Sequence, residues 1–343
     1  MYFRKGTMKA ALLEKINEPL AIREVELSEL EVGQVLVRVL VSGLCGAQLH
    51  EIRGHKGNAK FLPHLMGHEG CGIVESVGPG VTTVKVGDKV VMHWRPGTGI
   101  EAPFPSYVLD GKSMSSGKVT TLSEYSIVSE NRVTTVPDDT PPELCAILGC
   151  ALTTAMGIID NEVDLKFGES VAVIGCGGVG LNLIQAAALK SACPIVAIDC
   201  SESKKDLVFT AGASVFAAEL KELGGKYDVI IDTTGIPGVI SDAITHLSGK
   251  GRMILVGQPA PGRGVEVMNA VNLFSGMGQT IKATQGGKTN PTEDIPRYVR
   301  MHQEGILSVE QFVTHRFKLD QVNEAFDLLR SGNAGRIIIE IGV

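Results

Sequence analysis

The stretch around residue 175 constrains this chain more than any other. A compact apolar strand, residues 170–174, runs directly into Gly175-Cys176-Gly177-Gly178-Val179-Gly180, and an apolar helical run, 181–190, follows. The next apolar stretch, 194–199, ends on Asp199, 24 residues after Gly175. A G-x-G-x-x-G string alone is weak evidence; set between strand and helix, with a carboxylate closing the next strand, it predicts a βαβ unit that holds a dinucleotide. Gly175 allows the tight turn, Gly177 lets backbone approach a pyrophosphate, Gly180 lets helix and strand pack, and the helix N-terminus favours the phosphate charge. Asp199 would accept hydrogen bonds from the adenosine ribose. It repels a 2'-phosphate, and no arginine follows among Cys200, Ser201, Glu202 and Ser203, so NAD(H) is expected rather than NADP(H). The plainer alternative is a tight strand-to-helix turn with Asp199 capping a strand.

The alternation continues with strands at 229–232 and 253–256 and helices at 204–211 and 239–247. That pattern predicts an α/β architecture with a doubly wound parallel sheet. Before it the chain reads differently, as short β-rich segments (10–13, 35–41, 72–77, 89–92) between Gly, Pro and Asn turns, and then as a helical stretch at 143–158. Beyond residue 285 come helices at 295–304 and 319–329 and a closing strand at 336–341. The expected organisation is a Rossmann domain, 151–284, inserted between the two parts, 1–150 and 285–343, of a β-rich domain. A length of 343 residues suits two domains.

A net charge of −6 argues against a partner such as nucleic acid or an anionic membrane surface. Apolar runs such as 253–256 and 337–339 fall far short of a membrane span. Residues 1–7 are polar and basic without an apolar core, so a cytoplasmic location is expected. Seven cysteines at irregular spacing suit free thiols and metal ligands better than a disulfide framework.

Cys45, His68 and Cys150 lie far apart, and taken singly each reads equally as an ordinary buried residue. Their local wording changes that: Gly43-Leu44-Cys45-Gly46, Gly67-His68-Glu69-Gly70, Val86-Gly87-Asp88-Lys89-Val90, Leu148-Gly149-Cys150, Thr153-Thr154 and Gly335-Arg336 occur in order around the glycine fingerprint. In these motifs the chain resembles the zinc-containing alcohol dehydrogenases of the medium-chain dehydrogenase/reductase family, from Met8 to Val343. The resemblance implies a split GroES-like catalytic domain, one catalytic Zn2+ on Cys45, His68 and Cys150, NAD(H), a small alcohol, aldehyde or ketone as substrate, and a homodimer or homotetramer. Such a three-ligand set leaves a coordination position open for a substrate oxygen. It also places Glu69 behind the metal, able to exchange with its ligands, although a carboxylate there fits equally as a partner of Arg336 or another buried base. Cofactor contacts transfer to Thr154, Lys204, Thr233, Thr234, Val256, Gly257 and, for the pyrophosphate, Arg336.

Two departures from the family stand out. Ala47 occupies the position of a Ser or Thr whose hydroxyl carries the alcohol proton toward a histidine; His50, at the position of that terminal base, is therefore disconnected, and water, a substrate hydroxyl or Glu69 has to bridge. Gln48 follows where the family usually has Asp, and its amide would accept the N–H of the metal-bound histidine. In addition, residues 95–119 contain no cysteine, so no structural zinc is expected there, and this long polar loop suits the active-site mouth or an oligomer contact. Trp94 resembles a substrate-pocket residue, with a core position as the alternative; His93 and Arg95 flank it and suit a polar or anionic substrate. Two other readings stay open: a zinc-independent quinone or enoyl reductase of the same superfamily, and a non-catalytic nicotinamide-binding sensor.

Overall fold

The computed structural model describes residues 6–267, 270, 276 and 278–342. The first part of the chain forms β1 (Thr7–Leu13), β2 (Ala21–Leu27), β3 (Gln34–Gly43), the short helix α1 (Gly46–Ile52), β4 (His64–Leu65), β5 (Glu69–Val77) and β6 (Lys89–His93). It continues with the hairpin β7 (Ser106–Leu109) and β8 (Lys112–Ser115), then β9 (Tyr125–Ser129), β10 (Val133–Thr135), α2 (Pro142–Leu148) and α3 (Ala151–Gly157), which runs on as π-helix over Ile158–Val163. The middle part supplies β11 (Val171–Ile174), α4 (Gly178–Leu189), β12 (Ile195–Ile198), α5 (Lys205–Thr210), β13 (Val215–Ala217), β14 (Tyr227–Asp232), α6 (Pro237–Ile244), β15 (Leu247–Leu255) and β16 (Thr280–Ala283). The last part supplies α7 (Pro291–Gln303), β17 (Val313–Lys318), α8 (Val322–Ser331) and β18 (Arg336–Glu340).

Two compact units result: Met1–Thr153 with Asn290–Ser331 and Arg336–Val343, and Thr154–Thr289 with Gly332–Gly335. Among the described residues the first unit has one sheet in the order β4-β1-β2-β7-β8 and another in the order β10-β6-β5-β3-β18-β17, with β9 also pairing β3. Strand periodicity explains how β3 serves two cores. Val35, Val37 and Val39 point into one with Val74, Val90 and Val128, while Leu36 points into the other with Met8, Leu12 and Tyr107. Each such side chain contributes about 1.5–3 kcal/mol by leaving water.

The second unit is a parallel sheet in the order β13-β12-β11-β14-β15-β16. β11 (VAVI) is buried at every position, as a central strand covered on both faces requires. The order reverses direction between β11 and β14, so the end of β11 is the switch point at which such sheets bind ligands.

Several expected elements shift. The helix expected over 143–158 is broken at Gly149–Cys150, where a Cβ on Gly149 would sit 2.4 Å from the Met92 carbonyl oxygen; the break places Cys150 between α2 and α3. The helix expected over 239–247 stops at Ile244, because Leu247 already begins β15. β2, with charged residues on its exposed face, and the β7–β8 hairpin carry too weak an apolar pattern to be singled out. That hairpin lies inside the expected loop 95–119 and extends the first sheet. The rest of that cysteine-free segment is held by carboxylates. Glu130 accepts hydrogen bonds from the backbone N–H of Thr82 (2.6 Å), Thr83 (2.8 Å) and Ile100 (2.8 Å), and Glu101 accepts from Asn131 (2.8 Å) and Arg132 (3.1 Å). No single described helix is long and apolar enough to cross a membrane; a bent pair, Pro142–Leu148 with Ala151–Val163, passes by length and composition, but its apolar residues are core.

Candidate active site

Four separate segments of the first unit build the site, three of them bringing Cys45, His68 and Cys150 together, with one ligand atom from each lying within 4.8 Å of the others. Cys45 caps the N-terminus of α1 in extended conformation. His68 precedes β5 and follows Gly67, whose φ of +99° and closeness to Thr121 (a Cβ would meet Oγ1 at 2.4 Å) leave room for glycine only. Cys150 sits in the break between the two helices. The fourth segment, β18, contributes Arg336, described below.

The cluster polarises itself. The Cys150 thiol as hydrogen-bond partner, and His68 beyond it, hold Cys45 well below the usual thiol range, while the same contact and burial push Cys150 up. Burial opposes charge on His68, but the Cys45 sulfur prevails and raises it. Two soft sulfur donors and one imidazole, convergent and largely buried, are the donor set of a tetrahedral zinc site with one position open.

Behind the cluster, Glu69 and Arg336 form a buried ion pair at 0% and 2% exposure, joined through Arg336 Nη2 and Glu69 Oε1. Gly43 makes this possible, since a Cβ there would lie 2.7 Å from the guanidinium and 2.8 Å from the carboxylate. Burial raises the Glu69 pKa despite Arg336, and Glu69 Oε2 and Arg336 Nε have no partner among the described residues. The reading of Glu69 as a partner of Arg336 thus describes its contact. Arg336, expected at the pyrophosphate, has its guanidinium on Glu69 in the first unit.

The neighbours differ from expectation at two points. Gln48 is buried, but its Oε1 accepts the Cys45 backbone N–H at 2.9 Å, which closes the turn of α1 and leaves Nε2 without a partner among the described residues; the amide oxygen is not on a histidine. His93 has both ring nitrogens engaged within the first unit. It is buried with Nδ1–H donating to the Arg95 carbonyl (2.7 Å) and Nε2 accepting from Thr134 Oγ1 (2.9 Å), and burial pushes its pKa down to about 4. Trp94 is half-buried, with the Arg95 guanidinium 5.7 Å from its ring and its carbonyl accepting from Arg132. Ala47 is half-buried on α1. His50, on the same helix, faces His55, which the sequence gave no reason to single out beyond its being a second histidine five residues on.

The second unit carries the dinucleotide turn. Gly175 has φ +86°, and its N–H donates to the Ile198 carbonyl at 2.8 Å. A Cβ on Gly180 would lie 1.9 Å from the Gly175 oxygen, whereas one on Gly177 would meet nothing within 4 Å, leaving an open cradle at the start of α4, where Gly178 and Val179 follow. Asp199 accepts from the backbone N–H of Cys176 (2.7 Å) and Ser201 (2.9 Å), so it shapes the turn as well as offering lone pairs. Lys204 is buried with no partner for Nζ among the described residues. Both features, the cradle and the orphaned ammonium, fit a bound dinucleotide. Thr233 and Thr234 are turned inward: Thr233 Oγ1 donates to the Ile174 and Gly175 carbonyls, and Thr234 Oγ1 to Asp232 at 2.6 Å. The Val256 and Gly257 N–H groups donate to the Asp232 carbonyl, and a Cβ on Gly257 would lie 2.1 Å from the Gly235 nitrogen. Thr154 is buried at the start of this unit.

Comparison with known proteins agrees with this geometry. Residues 31–138 match the family described as Alcohol dehydrogenase GroES-like domain, and residues 178–304 match Zinc-binding dehydrogenase. The NDMA-dependent alcohol dehydrogenase of Amycolatopsis methanolica is 30% identical over 96% of this chain and 98% of its own. The S-(hydroxymethyl)glutathione dehydrogenase of Komagataella pastoris is 29% identical over 96% and 97%. Among solved structures, an alcohol dehydrogenase zinc-binding domain protein from Burkholderia ambifaria superposes with a TM-score of 0.89 at 28% identity, covering 98% of this chain and 99% of that one. Benzyl alcohol dehydrogenase from Acinetobacter calcoaceticus does so with a TM-score of 0.87 at 26% identity and the same coverage. The chain belongs to the zinc-type alcohol dehydrogenases of the medium-chain dehydrogenase/reductase family, oxidoreductases that act on CH–OH groups with NAD.

Proposed function

We propose that the chain interconverts a small alcohol bearing a flat or conjugated group and its carbonyl form, and that the substrate proton leaves through His50 by way of water. The convergence of Cys45, His68 and Cys150 carries the reading. Zinc on these ligands supplies a Lewis acid for the substrate oxygen, and bound NAD supplies the hydride acceptor.

The chain's own residues do the rest. The two sulfurs and one imidazole nitrogen fix the donor set, and the Glu69–Arg336 pair anchors β5 to β18 directly behind it. Gln48 locks the Cys45 backbone. Ala47 offers no hydroxyl, so a water has to connect the substrate oxygen to His50, a separation that general-base chemistry tolerates. Burial first, then His55, Arg53 and Lys56, lower the His50 pKa, which keeps its ring neutral and able to accept a proton. The half-buried Trp94 ring supports a substrate with a flat face, and benzyl alcohol dehydrogenase is one of the structural neighbours. All seven cysteines are free, which suits a reducing compartment such as the cytoplasm, and we assign a homodimer or homotetramer.

The test joins metal analysis of protein purified without chelator to NADH binding by fluorescence. NAD-linked turnover is then followed on ethanol, butane-2,3-diol, benzyl alcohol and S-(hydroxymethyl)glutathione. Expected are one zinc per chain, NADH binding, fastest turnover on benzyl alcohol, and loss of turnover but not of NADH binding after chelation. Zinc-free protein that reduces quinones or enones at full rate would establish the zinc-independent reductase instead. Zinc and NADH binding without turnover on any alcohol would establish the sensor.

A further inference from the structure

His50 does not stand alone. After α1 the chain turns back through Arg53 and Gly54, and the His55 backbone N–H donates to the His50 carbonyl at 2.9 Å. This turn sets the two imidazoles against each other, with ring centroids 5.5 Å apart, planes tilted by 52° and Nδ1 atoms 3.3 Å apart. Two ring nitrogens at that distance cannot both carry a proton; one donates and the other accepts. Both rings are half-buried. Arg53 and Lys56 lie around His50, with Lys56 held by Glu51 at 2.9 Å, and Cys45 acts on the ring in the opposite sense. A proton left on His50 would therefore sit among cations in a partly desolvated place. A second imidazole in hydrogen-bond contact offers it a way out.

We infer that His55 is the second member of the proton path, a positioning residue that acts through His50; the inference rests on the reading that His50 accepts the substrate proton. The path starts from the pair in which His50 Nδ1–H donates to His55 Nδ1. A new N–H bond forms at His50 Nε2 as the proton arrives through water. The His50 Nδ1–H bond breaks as its proton passes to His55 Nδ1, and the His55 Nε2–H bond then breaks, releasing a proton to solvent. No electrons change hands, both rings end neutral with their tautomers exchanged, and exchange with water restores the starting pair.

The experiment uses the zinc-loaded, full-length enzyme with NAD and benzyl alcohol, or the fastest alcohol of the panel above, in dilute non-imidazole buffer. His55→Gln and His55→Phe are compared with the parent and with His50→Gln for kcat in H2O and D2O, with and without added imidazole. Zinc content and Tm are followed in parallel. The expected result for both His55 variants is a fall in kcat of about ten- to a hundredfold, a larger solvent isotope effect and recovery with imidazole, at unchanged zinc content and Tm. A merely structural role would move Tm and would not respond to imidazole, and that result overturns the inference. Should His50→Gln be slow and rescued by imidazole while the His55 variants behave as the parent, the pair is refuted and His50 stands. Parent-like turnover in His50→Gln removes the base reading itself.

Discussion

Between Ile174 and Asp199 the second unit closes its turn with its own hydrogen bonds, whereas around Cys45, His68 and Cys150 the first unit buries polar atoms that no described residue satisfies. In the former, Gly175 N–H reaches Ile198, Cys176 N–H reaches Asp199, and Thr233 closes on the Ile174 and Gly175 carbonyls. Among the described residues, the space over Gly177, the Lys204 ammonium and Asn182 Oδ1 remain open there. In the latter, Gln48 Nε2, Glu69 Oε2 and Arg336 Nε have no partner among the described residues, and an ion pair is held out of water. A turn that finishes its own hydrogen bonds is ready before its ligand arrives. A pocket with orphaned polar groups is a more costly structure, completed by what it binds.

The largest effect should come from separating the two. Cys150→Ala removes a metal ligand and is expected to lower kcat at least about a thousandfold, with zinc lost and NADH binding kept. Gly177→Val should do the reverse. Its Cβ meets no neighbour and its φ of −76° suits any residue, so Tm and zinc stay as in the parent. The added side chain fills the cradle and is expected to weaken NADH binding about ten- to a hundredfold. Metal analysis and fluorescence titration on both variants check the cross. Loss of NADH binding in Cys150→Ala would show that the two sites are not independent.

The same contrast explains what could be read from the sequence. The dinucleotide turn is local: strand, glycines, helix and carboxylate occur within about 30 residues, so spacing carries the geometry. The metal site is not, because Cys45 and Cys150 are brought together only by the folding of two sheets and a broken helix. No periodicity links them, and the resemblance was needed. Residue type alone does not fix which way a side chain is used. His93, the Gln48 amide oxygen and the Thr233 and Thr234 hydroxyl protons all suit a ligand, yet each is directed to nearby backbone or side-chain groups. His55 escaped notice because the value of a histidine lies in the ring it meets. The β7–β8 hairpin escaped because half-exposed strands alternate too weakly to stand out from a polar loop.

Breaking the buried pair tests whether the first unit carries its polar load as a strained element. Arg336→Met leaves Glu69 buried without its cation and should cost about 3–5 kcal/mol of unfolding free energy, read in urea. Glu69→Gln combined with Arg336→Met removes both charges and is expected to recover most of that loss, because an intact buried pair contributes little net stability. Equal losses in the single and double variants would mean that packing around Gly43, rather than charge, sets the cost.

The smallest effect concerns His93, opposite Glu69 in the β5–β6 register, a buried polar group that is satisfied rather than orphaned. Its folded pKa of about 4 lies below the ordinary 6.5, so the unfolded chain binds the extra proton between those values. Its contribution to stability is complete above pH 6.5 and is lost as the pH falls toward 4, by about 3 kcal/mol in all. His93→Gln keeps a donor and an acceptor but cannot titrate, so unfolding free energies measured between pH 7 and 4 should fall less steeply than in the parent. The difference between the two slopes isolates this one ring from the carboxylates that titrate in both proteins. Parallel curves would mean that the imidazole is protonated in the fold, with Thr134 turned to accept, and would move His93 into the group of polar residues whose state depends on what the metal site holds.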